Sequence, residues 1–137
     1  MKLTDLVDEL GLEVRSALQS LDSEVTGGYA SDLISDVLAQ STEGNLWVTL
    51  QTHQNIVATA SLKDLVGIVL VSGREPQKDT LEKAEREGIP ILVSSLPTFE
   101  LVGMLYALGI RGRIAERTPE AEASGAGTTG SGKGVGR

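Results

Sequence analysis

Apolar residues recur along the chain in short bursts separated by polar turns, and the spacing inside each burst sorts it into helix or strand. Leu3, Leu6, Val7 and Leu10 fall on one face of a helix that Thr4 caps and Gly11 stops. Residues 12–16 alternate as a half-buried strand, and residues 18–22 read as a turn. A short apolar strand at Val25 then runs into Gly27-Gly28, read as a tight connection. Ser31 caps a helix to Gln40 with Leu33, Ile34, Val37 and Leu38 on its apolar face. After the polar turn at residues 41–45, the β-branched and aromatic run at residues 46–50 predicts a strand.

Residues 56–62 suit a strand by propensity and a helix by context. A parallel sheet needs a crossover between residues 46–50 and the apolar run at residues 67–71, which selects the helix. Lys78–Glu87 has the period of an exposed helix. It is followed by Gly88 and a buried strand at residues 89–93. Thr98 caps a last helix with Leu101, Val102, Leu105 and Leu108 as its stripe and Gly109 as its stop. The runs around Val69 and Leu92 are apolar at consecutive positions, the mark of strands covered on both faces. The fold class is therefore α/β, a three-layer α/β/α domain over residues 1–110 with a mainly parallel sheet. Beyond it, residues 121–137 are dominated by Gly, Ala, Ser and Thr, and residues 111–137 are expected to form a disordered tail.

Composition narrows the function. The chain has no cysteine and one histidine, so neither a disulfide framework nor a thiolate or His-rich metal site is expected. The acidic first residues do not suit a signal peptide, and no apolar run approaches the ~20 residues that span a bilayer. A cytoplasmic protein is expected. Residues 1–109 carry 7 Lys/Arg against 16 Asp/Glu, and only Tyr29, Trp47, Phe99 and Tyr106 are aromatic, which disfavours nucleic acid.

In parallel sheets, ligands gather beyond the carboxyl ends of the strands. Here those ends read Thr26-Gly27-Gly28, Gln51-Thr52-His53-Gln54-Asn55, Ser72-Gly73-Arg74 and Ser94-Ser95, the last running on to Thr98. Together they predict one polar rim for a small anionic or nucleotide ligand, with Arg74 as its fixed cation and His53 as the group that titrates near neutrality. Arg74 has a rival role in a salt bridge to Glu75. No metal site, cofactor or catalytic residue is assigned. The stretch from Gly127 to Gly134 imitates a phosphate loop, but Gly134 stands where the Mg²⁺-binding Ser/Thr belongs and no strand leads into it.

The runs from Val25 to Val37 and from Leu46 to Ala58, continued by Gly67 to Pro76 and Gly88 to Leu92, resemble the DRTGG-domain family over roughly residues 1–110. The family's Asp-Arg-Thr-Gly-Gly motif reads Glu24-Val25-Thr26-Gly27-Gly28 here, with the threonine and both glycines matched. The resemblance implies a fold like the N-terminal domain of HPr kinase/phosphorylase, related to the N-terminal domains of Mur ligases. It also implies a regulatory or architectural role in subunit contacts, as beside CBS pairs in regulatory pyrophosphatases and in phosphotransacetylases, with the chemistry in other domains. A kinase half with a true phosphate loop is not expected in this chain. The chain is thus read as a stand-alone, non-catalytic regulatory and oligomerisation module that binds a small anionic or nucleotide ligand at the strand-end loops. Two other readings stay open: a protein interaction scaffold without a ligand, and a small enzyme for a phosphorylated substrate with His53 as acid/base and Arg74 as phosphate clamp.

Overall fold

A computed structural model describes residues 1–112, so the expected tail beyond Gly112 and the run from Gly127 to Gly134 lie outside the described residues. Helix α1, Leu3–Leu10, buries Leu3 and Leu6 and ends at Gly11 in the left-handed conformation. Its start differs from expectation. The backbone N–H of Lys2 donates to Asp5 Oδ2 at 2.8 Å, while Thr4 offers only its N–H, to the carbonyl of Leu21. Strand β1 is Glu13–Val14, shorter than its alternating pattern, because Ser16 takes over the pairing with its side chain. Ser16 Oγ donates to the Ile89 carbonyl at 2.8 Å and accepts the Ile91 N–H at 2.9 Å.

After a 3-10 turn at Leu18–Ser20, strand β2 is Gly27–Ala30, so both glycines lie inside a strand and not in a connection after one. Helix α2, Ile34–Gln40, starts later than predicted because Ser31 Oγ accepts the Leu33 N–H in a local turn. Only Val37 of its expected face is buried, and Leu33 is 64% exposed. Then follow β3, Asn45–Thr49; α3, Asn55–Lys63; β4, Gly67–Leu70; α4, Lys78–Glu87; β5, Ile91–Val93; and α5, Thr98–Ala107. The crossover at residues 56–62 is helical, as the parallel sheet requires.

The sheet order is β1-β5-β4-β3-β2. Strands β2 to β5 are parallel, and β1 runs antiparallel on β5. Successive side chains of a strand point to opposite faces, and two cores result. Leu46 and Val48 join α1 and α5 on one face, while Trp47 joins α2, α3 and α4 on the other. Tyr29 fastens β2 to α2 through its hydroxyl, which donates to Asp36 Oδ2 at 2.7 Å. Burial and that carboxylate push the phenol's pKa up.

Candidate functional site

The carboxyl edge of the sheet is built from the loops after β2, β3, β4 and β5. Asp32 organises its first part. Its Oδ1 accepts Thr49 Oγ1–H at 2.8 Å and the Leu50 N–H at 2.7 Å, and its carbonyl accepts Gln51 Nε2–H at 2.9 Å. Sequence reasoning missed Asp32, whose signal was an acid set between a strand end and a helix start. Gln51 is thereby held as part of the scaffold.

The next loop leads into α3. The Thr52 carbonyl accepts the Gln77 N–H and Thr80 Oγ1–H from the start of α4, which ties the two loops together. His53 Nδ1 accepts the Asn55 N–H at 3.2 Å, so the imidazole braces the first turn of α3. The N–H groups of Thr52, His53 and Gln54 have no protein acceptor among the described residues. Gln54 is the N-cap of α3, and Thr52 and His53 immediately precede it, at the end of the helix that favours negative charge.

The loop after β4 turns sharply at Ser72 and Gly73, both with positive φ. Their N–H groups donate to the carbonyls of Leu96 and Ser94, locking this loop to the one after β5. These donors are therefore engaged internally, contrary to the expectation of an open rim of N–H groups. Arg74 follows, exposed, with no carboxylate partner among the described residues. The Glu75 carboxylate, its rival partner, is held by another arginine. Arg15 Nε and Nη2 donate to Glu75 Oε1 and Oε2, each at 2.8 Å, and Nη2 also reaches Glu13 Oε1.

The hydrogen bonds from Arg15 hold the Glu75 carboxyl below the usual carboxylate range, and those to Glu75 and Glu13 raise the guanidinium. A depressed folded pKa contributes stability that is present above the ordinary carboxylate value and is lost as pH falls through the depressed one. Glu75 is 55% exposed and Arg15 28%, so solvent screening keeps the contribution small. In an NMR titration, Arg15→Ala is expected to move the Glu75 midpoint up to the ordinary range; an unmoved midpoint would contradict the pairing.

Thr26, Gly27 and Gly28 stand at the amino edge of the sheet, opposite the remaining candidates, since Gly27 pairs with Asn45 at the start of β3. Their roles there are structural. Thr26 Oγ1 donates to the Glu43 carbonyl at 2.8 Å and accepts from Asn45 Nδ2. A Cβ on Gly27 would lie 2.7 Å from the Arg111 carbonyl oxygen, and the Gly28 N–H donates to that same oxygen at 3.1 Å. The glycine pair therefore serves close approach by the chain leaving α5, and neither glycine has positive φ. A depression of about 530 Å³ lies at this amino edge, but Glu24, Glu43 and Asp64 line it and make it unsuited to an anion.

The structure thus brings together Gln51, Thr52, His53, Gln54 and Asn55 with Ser72, Gly73 and Arg74, and separates Thr26, Gly27 and Gly28 from them. Among the described residues no group of three or more His, Cys, Asp and Glu side chains could hold a metal ion, and no helix is long and apolar enough to cross a membrane.

No protein-family model matches the chain, and no curated protein sequence matches it significantly. Among solved structures it is similar to the CBS and DRTGG domains of the regulatory region of Clostridium perfringens pyrophosphatase, complexed with the activator diadenosine tetraphosphate. The TM-score is 0.58 at 14% identity, over 75% of this chain and 45% of that one. This chain therefore spans less than half the length of that neighbour. The likeness gives the fold, a DRTGG-domain-like α/β architecture, in agreement with the motifs in the sequence.

Proposed function

We propose that this DRTGG-like domain is a non-catalytic regulatory module, part of a homo-oligomer, that takes a nucleotide or small anionic ligand at the carboxyl edge of its sheet. The observation that carries the ligand site is the pairing of two unused anion contacts on adjoining loops. Arg74 has no carboxylate partner, and the N–H groups of Thr52, His53 and Gln54 at the start of α3 have no protein acceptor among the described residues. A guanidinium and a helix start complement a phosphate by charge and by directed donors. The reading is supported by a fold shared with a regulatory region that is described with a nucleotide activator bound. His53, with Nδ1 engaged by Asn55, then positions the helix start.

A thermal-shift experiment with diadenosine tetraphosphate, AMP, ATP and pyrophosphate tests this. A ligand at about a hundred times its Kd adds ~2.7 kcal/mol, which in a domain of this size raises the midpoint by roughly 10 °C. The shift is expected to disappear in Arg74→Ala. A flat response to all four probes, or a shift that survives Arg74→Ala, would overturn the proposed site.

A further inference from the structure

Helix α5 is apolar on both of its sides. Leu101 and Leu105 are buried against the sheet, yet Phe99 is 86% exposed and Tyr106 55% exposed, with Gly103 and Ala107 also outward. A helix that is apolar all round has a second face to cover. Beside its C-terminal half, between α5 and the edge strand β2, runs an apolar groove of about 230 Å³ whose walls include Val48, Val102, Leu105, Tyr106 and Ile110.

We infer that a second copy of this chain packs antiparallel along α5, so that Phe99 of each copy enters the groove of the other. The partner is identified by self-complementarity. The projecting ring and the groove that the described residues leave open sit at opposite ends of one helix, with Phe99 and Tyr106 placed symmetrically about the Val102-Gly103 step. They are about 10 Å apart along the axis at the helical rise per residue. A two-fold axis at that step therefore brings each ring onto the other copy's groove, the arrangement of an isologous dimer. Gly103 at the crossing point lets the two helices approach closely.

Charge points the same way. Among the described residues, α5 and the segment after it carry one acid, Glu100, and one base, Arg111. The Arg111 guanidinium lies 3.9 Å above the Tyr106 ring, the level that Glu100 of an antiparallel copy reaches. Among the described residues this balanced pair suits a second copy better than a basic partner, and they form no cationic rim of the kind a membrane-binding helix carries.

The inference deepens the self-association in the reading above and is independent of its ligand site. Sedimentation of the full chain over a range of concentrations is expected to show a dimer. Phe99→Asp, at an exposed position, is expected to raise its dissociation constant by about thirtyfold or more with an unchanged circular dichroism spectrum. Because the chain has no cysteine, Gly103→Cys should be captured as a dimer by a short bismaleimide, while Leu62→Cys, exposed on α3, should not. A dimer that survives Phe99→Asp, or equal capture at both positions, overturns the α5 surface and leaves self-association standing. A protein that stays monomeric overturns both, whatever its response to nucleotides.

Discussion

Trp47→Ala is expected to destabilise the domain by about 3–5 kcal/mol, the cost of deleting a fully buried large aromatic side chain. Trp47 sits in the interior strand β3 with no exposure, on the face covered by α2, α3 and α4, in the cluster that contains Val37, Ile56 and Ile68. The sheet fixes its backbone through β2 on one side and β4 on the other, so the neighbours can close the resulting cavity only in part. Nε1–H also donates to the Ser31 carbonyl at 2.8 Å, and this bond anchors the loop that carries Asp32. Small domains have about 5–15 kcal/mol in total, so the variant should sit near the threshold of unfolding. Trp47→Phe keeps most of the ring and loses the donor, and is expected to cost about 1–2 kcal/mol. Urea unfolding followed by circular dichroism measures both, since Trp47 is the only tryptophan and its fluorescence goes with it. A loss below about 1 kcal/mol in Trp47→Ala would mean that the core reorganises around the gap.

The elements legible in the sequence are those set by local periodicity or by topology. Helix α4 begins and ends at the residues its period predicts, and the consecutive apolar runs of β4 and β5 identify strands with a core on each side. Helix α3 is ambiguous by propensity, and the crossover that parallel strands need decides it. What failed depended on distant contacts. A glycine needed for positive φ and one needed for close approach look alike in a sequence. The group approaching Gly27 is the carbonyl of Arg111, which folding alone places there. The split between Arg15 and Arg74 has the same cause, because β1 pairs with β5 and carries Arg15 to Glu75 before Arg74 can claim it. Within the candidate site, the polar residue types and their loops were readable, whereas the N–H groups already committed at Ser72 and Gly73 were not. Exposure on α5 was equally hidden, since a stripe at helical spacing shows one buried face and is silent about the other.

Gly44→Ala is expected to cost about 2–4 kcal/mol, from two sources that a double-mutant cycle can separate. The first is conformational. Gly44 has φ +83°, and a side chain in the left-handed region costs about 1–2 kcal/mol. The second is steric. A Cβ at Gly44 would lie 2.5 Å from Thr26 Cγ2 and 2.7 Å from Thr26 Oγ1, so the threonine or the turn must move. Thr26 has little freedom to do so, because its N–H donates to the Gly44 carbonyl and its hydroxyl is held by Glu43 and Asn45. Thr26→Ala removes both clashing atoms and the hydroxyl's hydrogen bonds. In that background Gly44→Ala should retain the conformational cost and lose the steric one, giving a coupling of about 1–2 kcal/mol in denaturant unfolding. Zero coupling would show that the turn yields without strain and that Thr26 does not lock it. A clear coupling would assign the threonine of the Thr26-Gly27-Gly28 run to the α2–β3 turn, just as the Arg111 contact assigns its glycines to the chain leaving α5. The motif's work would then be architectural, done at the amino edge of the sheet, opposite Arg74 and the start of α3.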